Sequence, residues 1–78
     1  MEIASAREFP SMPDFAYAKL QEKILSGEFP AGSPLRQEKL AGVLGLSRLP
    51  IREALTRLES EGLVILRPRR GYVVASVD

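Results

Sequence analysis

The sequence predicts a mainly α fold of three helices closed by a C-terminal two-stranded β-hairpin. Three observations predict it. The stretch LAGVLGLSRLPIREALTRLESEGL, from Leu40 to Leu63, carries two amphipathic helical patterns with a short break between them. Within it Ala41, Gly45 and Ile51 are spaced as a helix-turn-helix requires: a small residue at the crossing, a turn residue tolerant of positive φ, then a branched aliphatic in the second helix. After Gly62, two runs rich in β-branched and aliphatic residues flank Pro68, Arg69 and Arg70, which is the pattern of a hairpin.

The chain has 78 residues, enough for one small domain with a modest core. At 45% hydrophobic and 27% charged it has the composition of globular material. It contains no cysteine and no histidine, which excludes zinc fingers, disulfide scaffolds and thiol or imidazole nucleophiles. Carboxylates are scattered, with no general base set beside a nucleophile, so an enzyme is not expected. No apolar run is long enough to span a membrane and no signal-peptide pattern opens the chain, so a cytoplasmic protein without membrane attachment is the expectation. Net charge is only +1, but it is unevenly placed. Residues 1–45 carry five basic and six acidic groups, whereas residues 46–78 carry six arginines and four acids. Arginine suits bidentate contact with phosphate or guanine.

Taken in order, residues 1–12 lack any period and read as a flexible arm, and the folded domain is expected over residues 13–76. Ser11 and Asp14 resemble a capping box with Pro13 in the first turn. The helix that follows runs to about Ser26, with Tyr17, Leu20 and Ile24 on its core face and Gly27 ending it. FPAGSPL, residues 29–35, is a turn-rich connector whose Leu35 plugs the core, with a short edge strand as one option. The next helix covers about Gln37 to Leu44. Ser47 is the expected N-cap of the third helix, with Pro50 in its first turn and Gly62 just past its end. On a helical wheel Ile51, Ala54, Leu55 and Leu58 form one apolar stripe, and Leu49, Arg52, Glu53, Thr56 and Ser60 lie opposite. Leu40, Leu44 and Leu46 complete the inward set. Leu63–Arg67 and Gly71–Ala75 are the expected strands.

The run LRQEKLAGVLGLSRLPIREALTRLESEGLV followed by RPRRGYVV closely resembles the winged helix-turn-helix domain of GntR-family bacterial transcription regulators. The resemblance extends from about Phe15 to Val74, and the SRLPIREAL core is highly specific. PIREAL and the RGYVV wing are similar to the FCD branch, whose effector domain is all-helical. The branch with a UTRA effector domain more often reads TVRQAL and G-x-G-T-F at these places. Ala31 stands where relatives usually have a second proline. Glu38 stands where some relatives carry an arginine that reaches DNA, so no DNA contact is carried over to it.

The resemblance implies sequence-specific binding of double-stranded DNA at a near-palindromic operator. The helix opened by Arg48 would enter the major groove, where Arg48 and Arg52 read bases or clamp phosphates and Ser47 bonds the DNA backbone. Leu49 either packs on the preceding segment or touches a thymine methyl. At the wing tip Arg69 and Arg70 favour DNA over a merely soluble turn, and Arg67 stands between those readings. Arg48 has no acid four residues away, whereas Arg57 can pair with Glu53 and Glu61 and reads as a solvated surface residue. The family also implies a homodimer in the full-length parent and a small-molecule effector bound by a C-terminal domain absent from this chain. As an isolated N-terminal fragment the chain is expected to be monomeric, with no cofactor of its own. A docking module that binds protein instead of DNA is the rival; on the third helix it has only Leu49 to offer.

Overall fold

The computed structural model describes residues 11–76. The elements are α1 (Met12–Leu25), α2 (Gln37–Leu44), α3 (Arg48–Ser60), β1 (Val64–Arg67) and β2 (Gly71–Val74). This is the expected three-helix domain with a two-stranded antiparallel wing. The arm expected over residues 1–12 falls largely outside the described residues. Ser11 and Met12 already belong to the cap and first turn of α1.

α1 starts where its capping residues dictate. Ser11 is extended at φ −155° and ψ 166°, and its Oγ accepts from the backbone N–H of Asp14 at 3.3 Å. The same hydroxyl donates to Asp14 Oδ2 at 2.8 Å, tying both capping residues together. The helix ends one residue before Ser26, which is its C-cap. Its core face buries Ala16 and Leu20, with Tyr17 and Ile24 packed at the edge.

α2 and α3 are joined by the expected glycine turn. Gly45 lies in the left-handed region, φ 69° and ψ 33°, and Leu46 N–H bonds the Ala41 carbonyl at 2.9 Å. That bond closes off a carbonyl the end of α2 would otherwise leave unpaired. Gly62 ends α3 in the same way, with Gly62 N–H to Glu59 O and Leu63 N–H to Leu58 O, both at 3.0 Å. The start of α3 departs from expectation. Ser47 occupies the N-cap position, yet its side chain makes no capping bond. The reason lies three residues on. Pro50 is at the third helical position and has no N–H to offer, which removes one of the two donors that an N-cap oxygen normally takes.

The core sits between α1, α2, α3 and the base of the wing. Leu20, Ile51, Leu55, Leu58 and Val64 are its largest fully buried side chains. Removing each from water contributes roughly 1.5–3 kcal/mol before entropy costs. Every member of the predicted α3 stripe is buried, together with Pro50. Leu40 is buried, while Leu44 and Leu46 are half-buried against the core.

The wing pairs Val64 with Val74, Ile65 with Val73, Leu66 with Tyr72 and Arg67 with Gly71. Only the first pair is buried, with Tyr72 packed at the edge of the core, and the strands grow more exposed toward the tip. The connector after α1 adds a further edge, as one reading of Leu35 foresaw. Pro34 forms a bridge with Val73, Leu35 N–H bonds Tyr72 O at 2.9 Å, and Gly32 N–H bonds Val74 O at 2.8 Å. Pro34 itself has no N–H to donate, which suits it to an outer edge.

Candidate nucleic-acid interface

α3 turns its whole apolar stripe inward, so its outer face is left to polar and charged side chains. Ser47, Arg48, Leu49 and Arg52 are all exposed at the N-terminal half of that face. Leu49 is 63% exposed and packs on nothing in the core, which removes the inward option for it. The Arg52 side chain makes no ion pair or hydrogen bond among the described residues; only its carbonyl is engaged, accepting from Thr56 Oγ1 at 3.0 Å.

Arg48 differs from the expectation. Its guanidinium bonds Glu38, on the first turn of α2, in a pair that is exposed on both sides. Counting four residues along α3 could not reveal this partner, because the crossing of two helices brings it in from ten residues upstream. Arg57 also differs. It pairs with Asp14 Oδ1 at 3.2 Å and lies 3.8 Å from the centroid of the Tyr17 ring, instead of pairing with Glu53 or Glu61. It belongs to the α1–α3 seam and not to the outer face.

The wing presents Arg67, Arg69 and Arg70, all exposed and without ion pairs among the described residues. Arg70 N–H bonds Arg67 O at 3.2 Å, closing a turn with Pro68 and Arg69 at its centre. Arg69 takes φ 65°, the only non-glycine residue in the left-handed region among those described. Proline followed by a positive-φ residue is the type II arrangement, which usually places glycine where Arg69 stands.

Between α2, the start of α3 and the wing lies a cleft of about 720 Å³. Arg36, Lys39, Arg48 and Arg70 bring four cations to it, and Glu38 one anion. Arg36 and Lys39 are interface candidates that the sequence reading did not single out. The available signal was weak: two cations flanking Gln37 and Glu38 at a helix start, inside a half of the chain that is net acidic. A surface that joins the face of α3, this cleft and the wing tip can engage a polyanion along its length while offering planar hydrogen-bond donors to base edges.

Three helices, a tight glycine turn before the last of them, and a hairpin set beside it define a winged helix-turn-helix domain of the kind found in transcription regulators. The family model for bacterial regulatory proteins of the gntR family matches residues 13–74, and the chain belongs to that family. It is similar to an HTH-type transcriptional regulator in an unstable DNA locus of Streptomyces ambofaciens, 42% identical over 62 residues, which make up 80% of this chain and 26% of that protein. The HTH-type transcriptional regulator Mce2R of Mycobacterium tuberculosis is 43% identical over 58 residues, 73% of this chain and 24% of that one. Among solved structures, a GntR family member from Pseudomonas syringae superposes with a TM-score of 0.78 at 39% identity, covering 85% of this chain and 28% of that one. Lar, which controls expression of the Listeria monocytogenes agr system, superposes with a TM-score of 0.82 at 36% identity, covering 90% and 34%. The chain thus spans about a quarter of the length of these two regulators from Streptomyces and Mycobacterium. Among the described residues no helix is long and apolar enough to cross a membrane.

Proposed function

We propose that this domain reads operator DNA for a bacterial transcription regulator. α3 enters the major groove, Arg48 and Arg52 meet bases or phosphates, Ser47 meets the backbone, and Leu49 meets a thymine methyl. Arg69 and Arg70, with Arg67 behind them, hold the flanking groove. The observation that carries this reading is the outer face of α3. Arg52 stands exposed there without an ion pair among the described residues, as do the three arginines of the wing. Leu49 is the one large apolar side chain exposed on α3, which leaves a protein-docking face without an apolar patch there.

The PIREAL core and RGYVV wing support an FCD-type effector domain in the parent protein. On that reading a small molecule acts through the effector domain, the parent is a cytoplasmic homodimer, and its operator is a near-palindrome. On the same reading the winged-helix domain by itself is a monomer that grips one half-site weakly. Fusing it to a leucine zipper raises affinity by about 10²–10⁴ through effective concentration alone. Titration of duplex binding from low to moderate salt is the direct test. About three to five phosphate contacts give a log–log slope of roughly −3 to −5. Affinity indifferent to salt would sink the proposal.

A further inference from the structure

We propose that Glu38 sets the base preference of this domain by holding Arg48, an inference that rests on the DNA-reading function above. The pair joins two helices, with Glu38 in the first turn of α2 and Arg48 at the first position of α3. Both side chains are largely exposed, 76% and 64%, so the bond adds little to folding and calls for another reason. Both also line the cleft between α2 and the wing, beside Arg36, Lys39 and Arg70.

The electrostatics separate two kinds of DNA contact. A lone guanidinium binds any phosphate it meets, and that attraction carries no sequence information. A carboxylate bonded to the guanidinium cancels its charge and repels the phosphate, so sequence-independent binding through Arg48 is suppressed. Base edges carry partial charges only, so this penalty falls on them far more lightly. A guanidinium has five N–H donors, and Glu38 engages one side of the fork. The remaining donors can reach guanine O6 and N7, and the Glu38 carboxylate can accept from cytosine N4. Arg52 and the wing arginines, which carry no such partner among the described residues, supply the phosphate grip. Glu38 is thus a positioning residue that gives up affinity to gain selectivity.

The test compares the 78-residue chain with its Glu38→Gln, Arg48→Gln and double variants, each checked for an intact fold by circular dichroism. Sites are first selected from a random duplex pool by the wild type and by Glu38→Gln. Affinities for the selected and a scrambled duplex are then measured across salt. The expected result is that Glu38→Gln binds the scrambled duplex more tightly, with a salt slope steeper by about 0.9 for one added phosphate contact. Its preference at one G·C pair falls about tenfold. In an Arg48→Gln background the same change has a much smaller effect on both readouts, what remains being the carboxylate's own repulsion of phosphate and its contact with cytosine. A Glu38→Gln variant with wild-type slope and wild-type base profile overturns the proposal. So does tighter scrambled binding with an unchanged profile, because Glu38 would then reduce affinity without selecting. If the wild type binds no duplex even at low salt, the DNA-reading function itself fails and this inference falls with it. Wild-type binding with a silent Glu38→Gln leaves that function standing and removes only the role of Glu38.

Discussion

The hydroxyl of Tyr17 on α1 donates to the carboxylate of Glu61 just past α3, 2.6 and 2.8 Å from its two oxygens. Gln21 Nε2 donates to the same hydroxyl at 2.9 Å, and Arg57 lies over the Tyr17 ring while bonding Asp14. These contacts form a polar seam beside the apolar one, fastening the first helix to the last turn of the third. The phenol is pushed above its ordinary pKa of 10.0, chiefly by its bond to Glu61, then by desolvation and the charge of Glu61, with Arg57 and Gln21 acting in the opposite sense. An acid whose pKa rises on folding stabilises the fold fully below its unfolded value, and that contribution fades as pH climbs through the folded value.

Tyr17→Phe should therefore melt below the wild type between about pH 7 and 9, with the gap closing above roughly pH 10. Thermal melts across pH measure this. A gap that persisted undiminished in strong alkali would mean that the ring, and not the hydroxyl, sets the difference. DNA affinity should be unchanged, since the seam involves the C-terminal end of α3.

The two sides of α3 should separate in paired variants. Ala54 is 1% exposed, so Ala54→Leu overpacks the helix crossing and should cost about 1–3 kcal/mol in denaturant unfolding. Arg52→Ala should leave the melting temperature in place while lowering duplex affinity about tenfold or more. The reverse pattern would show that α3 meets its partners through the wrong face.

Two glycines three residues apart in sequence should respond oppositely to alanine. Gly42 lies inside α2 with nothing within 4 Å of an added Cβ, so Gly42→Ala should stabilise by about 0.5–1 kcal/mol. Gly45 has equal space but φ 69°, so Gly45→Ala should destabilise by about 1–2 kcal/mol through backbone strain alone. Chemical denaturation of both variants decides it.

At the wing tip, strain and binding can be pulled apart. Arg69→Gly relieves the left-handed backbone at φ 65°, so stability should rise by up to about 1 kcal/mol after glycine's own entropy cost. Duplex affinity should fall, and the salt slope should flatten by about 0.9 if Arg69 meets a phosphate. An unchanged slope would take Arg69 out of the interface.

What the sequence made legible follows from local rules. The buried stripe of α3 obeys helical periodicity, and the ends of α2 and α3 obey the demand for glycine at positive φ. The idle cap of Ser47 is legible too, because the missing N–H of Pro50 works against the preference for serine. Glu38 with Arg48, and Arg57 with Asp14 and Tyr17, were not. Glu38 and Arg48 lie 10 residues apart and Asp14 and Arg57 lie 43 apart, so helix crossing and not spacing brings them together. Arg69 was hidden for another reason: glycine follows at Gly71, and the backbone takes positive φ at both positions.

The edge that Pro34 and Leu35 add to β2 has a mechanical consequence. Those residues lead straight into Arg36 and α2, so the base of the hairpin and the start of α2 are laced together by backbone hydrogen bonds. Movement of one therefore pulls on the other, which restrains the width of the opening between them. If a duplex lies against both, the expected outcome is that it conforms to the protein, by bending or by narrowing a groove. Operators should then differ in strength with the stiffness of base steps that no side chain touches, a preference that affinity across flanking-sequence variants would expose.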